Sequence, residues 1–233
     1  AHLARPRASG LVKPHLVALH GFLGQGSDWD AVRAASKAGL AWSCPDLFGR
    51  GAATFDAPDV DGPCWLAGYS LGARLALAWM QKDPARWRGA LLLSVNPGNF
   101  QTDPERAARR QADEMWAAAF ADAPWAEVVA RWHNQPVLAA GYVPRRDECD
   151  FNRQALAGAL RNFSTADQFT DPLRLPARLT WMAGARDGKF TALQTSMREA
   201  GFPGTFLVVE QAGHRLLAEA PDAVAAALDD LVA

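Results

Sequence analysis

Leu66-Ala67-Gly68-Tyr69-Ser70-Leu71-Gly72-Ala73-Arg74 decides how this 233-residue chain is read. The pattern is G-x-S-x-G: a strand ends, the chain turns sharply with a serine at the apex, and a helix begins. The glycines follow from that geometry, because a strained serine lets backbone pass two residues to either side only where no Cβ intervenes. The flanks agree with it. Cys64 to Ala67 is short and apolar, and Arg74 to Met80 reads as helix. Gly and Ser are also common in ordinary turns. The reading therefore requires an acid, a histidine and a pair of free N–H donors from elsewhere in the chain.

Upstream, His15 to Leu19 reads as a buried strand running into His20-Gly21-Phe22-Leu23-Gly24. That loop is placed to offer the N–H of Phe22 toward the serine, with the N–H of Leu71 completing an oxyanion hole. His20, at the strand end, reads as a structural brace. A helix is expected from Asp28-Trp29 to about Ala38, then a strand from Leu40 to Cys44. Between Phe48 and Pro63, Gly49, Gly51, Asp56, Pro58, Asp59, Asp61, Gly62 and Pro63 leave no helical period. An extended loop is expected where a parallel crossover normally carries a helix. Such a loop would leave one sheet face less covered and invite a second subunit, so the expected state is a monomer or a homodimer.

Downstream, Ala90 to Val95 is a strand, closed by Asn96-Pro97-Gly98. Some seventy residues without strand pattern follow. They hold helices at Pro104–Phe120, Trp125–Trp132 and Asn152–Arg161, with Arg106, Arg109 and Arg110 sharing one side of the first. Trp116, Phe120, Trp125 and Trp132 make this block too apolar for a linker, and it is expected to be a lid. Strands return at Ala177–Met182 and Thr205–Val209, and a helix closes the chain from Pro221 to Val232. The fold class expected is α/β: a mostly parallel, doubly wound sheet with an inserted helical lid. One domain is expected, its core at about 1–100 and 171–233 and its insertion at about 101–170.

Two strand ends complete the chemistry. Leu179 to Met182 runs into Ala183-Gly184-Ala185-Arg186-Asp187, and Phe206 to Val209 runs into Glu210-Gln211-Ala212-Gly213-His214. Catalytic groups of open α/β sheets collect at those ends. The order Ser70, Asp187, His214 is that of triads on the α/β-hydrolase fold. Glu210 and Asp171 are the weaker candidates for the acid. A net charge of −1, with 49% hydrophobic and 21% charged residues, gives no field that would recruit nucleic acid or an anionic membrane. No apolar run reaches a membrane span, and no signal-peptide core opens the chain, although starting at Ala1 leaves room for a leader removed upstream. Cys44, Cys64 and Cys149 are odd in number and lack metal-ligand spacing, so a cytoplasmic setting with no metal and no cofactor is expected.

Five stretches together carry a resemblance. They are His20-Gly21-Phe22-Leu23-Gly24 with Asp28-Trp29, Gly68 to Arg74, Trp132-His133-Asn134-Gln135-Pro136-Val137, Gly184-Ala185-Arg186-Asp187-Gly188-Lys189-Phe190 and Ala212-Gly213-His214. The chain from about His15 onward resembles the 2-succinyl-6-hydroxy-2,4-cyclohexadiene-1-carboxylate synthases of menaquinone biosynthesis. The W-x-x-Q-P-V and R-D-x-K-F motifs are the most specific. The resemblance implies a triad of Ser70, Asp187 and His214, substrate carboxylates bound by Arg74 and Arg109, and Tyr69 and Trp132 lining the pocket. It implies a lyase that eliminates pyruvate from an anionic enolpyruvyl cyclohexene, with the serine as base. A serine–histidine pair that attacks a carbonyl can equally take a proton beside one. The alternative on the same scaffold is a carboxylesterase or thioesterase; a binding module has little need of a triad. The chain departs from the family at His133, where tyrosine is usual, and at Phe48 and Arg50 in the turn before the long loop. A third carboxylate-binding arginine among Arg145, Arg146 and Arg153 is not assigned.

Overall fold

The computed structural model describes residues 13–49, 55–60, 64–138, 142–176 and 178–233. Six strands form one parallel sheet: β1 (His15–Leu19), β2 (Ala41–Ser43), β3 (Cys64–Tyr69), β4 (Trp87–Leu93), β5 (Leu179–Gly184) and β6 (Thr205–Val209), in the order β2-β1-β3-β4-β5-β6. The inner strands β1, β3, β4 and β5 read as nearly continuous apolar runs because both of their faces are covered. Alternate residues part to opposite sides. Val17, Leu19, Leu66, Ala90 and Leu92 join one core, and Leu16, Ala18, Trp65, Ala67, Leu91 and Leu93 the other. Leu66 is wholly buried, so truncating it to alanine would cost about 2–5 kcal/mol.

The first core is closed by α2 (Leu71–Lys82) and α6 (Gly188–Glu199), the second by α1 (Asp30–Ala35) and α8 (Pro221–Val232). The chain leaves β1 toward β2 on one side and toward β3 on the other. The sheet order therefore reverses between β1 and β3, and ligands of open α/β sheets bind beyond the carboxyl ends at such a point.

Between β4 and β5 lie α3 (Asp103–Asp122), α4 (Trp125–His133) and α5 (Arg153–Asn162). Thr102 caps α3 reciprocally: its hydroxyl accepts from the Glu105 N–H at 3.5 Å, and the Glu105 carboxylate accepts from the Thr102 N–H at 2.8 Å. Asn152 caps α5 by accepting from the Ala155 N–H at 3.0 Å. The insertion meets the core through aromatic rings. Phe22 lies 4.5 Å from Trp132 and 5.0 Å from Phe120, between ring centroids.

Three expectations need correction. The helix after Asp28-Trp29 opens with a tight turn at Gly26–Trp29 and stops at Ala35 rather than Ala38. Asp229 of α8 takes the hydroxyl of Ser36 at 2.5 Å and the N–H groups of Lys37 and Ala38 at 2.8 and 3.2 Å, which offers those donors a better partner than another helical turn. The strand after α2 begins at Trp87 and ends at Leu93, because Ser94 turns to φ 46°. The sheet face beside the 48–63 loop is not bare. Among its described residues, 55–60 form no helix, yet Phe55, Ala57 and Val60 pack against the core. Phe55 lies 4.7 Å from Phe163 and takes the Trp79 indole N–H on its carbonyl at 2.9 Å. Arg50, Gly51, Asp61, Gly62 and Pro63 lie outside the described residues, as does Ala177. No helix among the described residues is long and apolar enough to cross a membrane.

Candidate active site

Ser70 stands between β3 and α2 at φ 52°, ψ −109°, a left-handed position that a non-glycine residue occupies only under constraint. Its N–H donates to the Leu93 carbonyl at 2.9 Å, which ties the turn to β4. The flanking glycines have steric reasons. A Cβ on Gly68 would lie 2.5 Å from the Ala73 Cα, and one on Gly72 would collide with the carbonyls of Leu19 and His20. The helix can enter at this angle only without those side chains.

His214 follows β6 and turns its ring between two partners. Nε2 lies 3.4 Å from the Ser70 hydroxyl, and Nδ1 lies 2.6 Å from Asp187 Oδ2. His214 and Asp187 are both buried. Asp187 has a second task, since its Oδ1 caps α6 by accepting from the Phe190 N–H at 3.4 Å. Of the three acids weighed from sequence, Asp187 is the one that meets the histidine. Asp171 instead accepts from the Leu173 N–H at 3.0 Å, and Glu210 is exposed just beyond β6.

The loop after β1 presents the other half of the site. Gly24 N–H closes a turn onto the Gly21 carbonyl at 3.1 Å. His20 is buried, its Nδ1 2.8 Å from the Gly21 carbonyl and its Nε2 accepting from the Leu47 N–H at 2.9 Å. Burial holds the imidazole pKa below its ordinary value, so the neutral ring braces the loop as expected. Among the described residues the N–H groups of Phe22 and Leu71 have no protein acceptor; Leu71 is the first residue of α2, where helix geometry leaves the N–H unpaired.

A cavity of about 600 Å³ opens over Ser70 and His214. Tyr69, Arg74, Arg109 and Trp132 all line it, as does Phe22. Burial pushes the Tyr69 phenol well above its usual range. Arg74, one turn beyond Ser70 on α2, donates to the Phe163 carbonyl. Burial lowers its pKa to about 10; Asp113 opposes the shift and the Arg109 charge adds to it. Arg109 comes from α3 and forms an ion pair with the buried Asp113.

Two contributors were not foreseen. Lys189, in the first turn of α6, lines the same cavity. Partial burial and then the Arg109 charge hold its ammonium below its ordinary value, with Asp187 opposing and Arg74 adding. Asp113 stands four residues after Arg109, the helical spacing that could have flagged the pair. Arg145, Arg146 and Arg153 do not line this cavity. Arg145 pairs with Asp147 at 3.1 Å, Arg146 with Asp28 at 2.7 Å and Arg153 with Glu148 at 2.9 Å. His133 turns to a second cavity of about 370 Å³, where Nδ1 accepts from Arg215 at 2.9 Å. Among the described residues no group of three His, Cys, Asp or Glu side chains could hold a metal ion.

The site can therefore relay a proton from a hydroxyl to an imidazole backed by a carboxylate, beside two N–H groups with no acceptor among the described residues, in a cavity walled by Arg74, Arg109 and Lys189 and by the carboxylates of Glu105 and Asp113. Residues 16–227 match the model of the alpha/beta hydrolase family. The 2-succinyl-6-hydroxy-2,4-cyclohexadiene-1-carboxylate synthase of Escherichia coli O1:K1 / APEC is 32% identical, over 94% of each chain. Among solved structures, MenH from S. aureus superposes with a TM-score of 0.79 at 20% identity, over 96% of this chain and 95% of that one. A hydrolase from Pseudomonas aeruginosa PA01 superposes with a TM-score of 0.72 at 20% identity, over 94% and 89%.

Proposed function

The chain belongs to the alpha/beta hydrolase family, among the relatives of 2-succinyl-6-hydroxy-2,4-cyclohexadiene-1-carboxylate synthase, and from that premise we propose that it is a carbon–oxygen lyase of menaquinone biosynthesis. It eliminates pyruvate from an enolpyruvyl cyclohexene that carries several carboxylates. The observation that carries this reading is the convergence of Arg74, Arg109 and Lys189 on the cavity that holds Ser70 and His214. A neutral acyl ester needs no such cations, whereas a polycarboxylate does.

In the proposed step His214 Nε2 accepts the Ser70 hydroxyl proton as the serine oxygen takes a proton from the substrate carbon beside a carbonyl. The C–H electron pair becomes the new ring double bond, and the carbon–oxygen bond to the enolpyruvyl group breaks. The leaving enolpyruvate collects the proton and tautomerises to pyruvate. Asp187 holds the imidazole in the productive orientation and stabilises its charged form. The Phe22 and Leu71 N–H groups stabilise negative charge as it develops on the carbonyl oxygen. The 3.4 Å between Nε2 and the serine hydroxyl shortens when substrate is bound. The helices between β4 and β5 act as the lid that carries Arg109 and Trp132 over the site.

The test is pyruvate release from the enolpyruvyl substrate by the purified protein, run beside p-nitrophenyl esters of increasing chain length. Pyruvate release with weak ester cleavage supports the lyase. Ester cleavage with no pyruvate release overturns it.

A further inference from the structure

His214 is held by its backbone as well as by its ring. The Glu219 carboxylate straddles the residue: Oε2 accepts from the Gly213 N–H at 2.7 Å, and Oε1 from the Arg215 N–H at 3.3 Å. The buried Ser94 hydroxyl donates to the His214 carbonyl at 3.1 Å, and the Leu216 N–H donates to the same oxygen at 3.1 Å. The peptide that follows the histidine and the one that precedes Gly213 are thus held by the side chains of Glu219 and Ser94, neither of which bonds the Ser70 hydroxyl or Asp187.

We infer that Glu219 and Ser94 are positioning residues for His214, and that Glu219 sets the distance between its Nε2 and the Ser70 hydroxyl. This rests on the reading of His214 as the proton acceptor. The geometry explains several features of the chain at once. A loop of free peptides would let the ring drift, and displacement of about 1 Å at a reacting group can cost about a hundredfold in rate. The one-turn helix α7 (Leu216–Glu219) brings the carboxylate back over its own loop, five residues after His214. Gly213 leaves room for it: a Cβ there would lie 3.2 Å from Oε2 and press the carboxylate away. Ser94 pays for its part in backbone strain, standing at φ 46° and buried, with its N–H bonded to the Met182 carbonyl at 2.8 Å. A charged acceptor binds two N–H donors more strongly than a neutral one, and a carboxylate offers one of two equivalent oxygens to each of these amides.

The experiment compares Glu219→Ala, Glu219→Gln and Ser94→Gly with the wild type. Two readings are taken well below each melting temperature: kcat and KM for pyruvate release, and the downfield proton resonance of the His214 Nδ1–H bonded to Asp187. Glu219→Ala should lower kcat about ten- to a hundredfold with KM changed less than about twofold, and broaden or remove the resonance. Glu219→Gln, with one acceptor oxygen, should fall between it and the wild type. Ser94→Gly, which tolerates the backbone angle, should reproduce a smaller loss of kcat. A wild-type kcat and an unshifted resonance in Glu219→Ala would overturn the inference, as would a loss confined to KM. If the wild type releases no pyruvate, the lyase reading fails separately. The resonance then decides the brace alone, its survival in Glu219→Ala refuting it and its loss supporting it. Should Glu219→Ala fail to fold, Gly213→Ala and Ser94→Gly carry the same two readings.

Discussion

The guanidinium of Arg109 is held by the carboxylate of Asp113, one helical turn further along α3, in the wall of the cavity over Ser70. Its Nε donates to Oδ2 at 2.9 Å, and a second nitrogen donates to the other oxygen. Asp113 is buried, and its charge also supports the protonated form of Arg74. This single anion therefore orients one cation and neutralises part of another. Asp113→Asn should raise KM for the polycarboxylate about tenfold or less while kcat changes little, because the arginines remain but lose their register. Arg109 is 35% exposed and screened by water, but Asp113 is buried and also supports Arg74, so the melting temperature should fall as well. Steady-state kinetics beside thermal melting reads both; a kcat loss with constant KM would contradict the orienting role.

Ser70 gives a paired expectation for rate and stability. Ser70→Ala should lower turnover by a factor on the order of 10³ or more, as deletions within acting triads do. Ser70→Gly should lose the same rate yet gain stability. At φ 52° the serine bears strain of about 1–3 kcal/mol that glycine does not, only partly offset by glycine's greater freedom when unfolded. Urea midpoints of the two variants and the wild type decide it, and a destabilised Ser70→Gly would show that the turn is not strained.

Much of this was legible in the sequence, for identifiable reasons. The ends of β1, β6 and α8 fall where they were read, because continuous apolar runs there are bounded by Gly, Pro or polar turns. Ser70, Asp187 and His214 could be found because strand ends announce themselves and the chain order is restrictive. What escaped depends on contacts between segments distant in sequence. Asp229 ends α1 from the far end of the chain, and Phe55 covers the sheet through Trp79 and Phe163. Lys189 was visible within its motif but had no role until the cavity brought it beside Arg109. Glu219 could not be inferred from spacing, because a carboxylate serving backbone amides leaves no periodic trace.

His133 makes stability depend on pH in a predictable direction. Burial lowers its pKa to about 4, and the Arg215 and Arg146 charges push the same way. The unfolded chain takes up this proton near pH 6.5 and the folded one only near pH 4. The neutral ring thus favours folding fully above about pH 6.5, and that advantage is lost as pH falls toward 4. His133→Gln can still accept from Arg215 and cannot titrate. Between pH 7 and 4.5 the wild type should lose more of its urea midpoint than this variant does. His20, also buried and lowered, is present in both and cancels. Equal losses would place the acid sensitivity elsewhere.

The proposed function turns on the cations in the cavity wall, which elimination from a polycarboxylate needs and hydrolysis of a neutral ester does not. Both reactions need Ser70, His214, Asp187 and the same two N–H donors, so removing those cannot distinguish them. Each charge-assisted hydrogen bond to a substrate carboxylate contributes about 1.5–3 kcal/mol, which is about a ten- to hundredfold change per arginine. Arg74→Ala and Arg109→Ala should therefore each reduce kcat/KM for the enolpyruvyl substrate by that factor while leaving p-nitrophenyl acetate cleavage nearly unchanged. Lys189 also supplies a pH signature. Burial and the neighbouring arginine charges hold its ammonium below its ordinary value, so it loses its charge at a less alkaline pH than a free lysine, while the Arg74 guanidinium remains charged. Elimination should then weaken at alkaline pH chiefly through a rising KM, and Arg74→Lys, whose ammonium cannot donate from a planar fork, should restore only part of the affinity. A parallel fall of both reactions in either alanine variant would remove the carboxylate clamp, and the esterase reading would take its place.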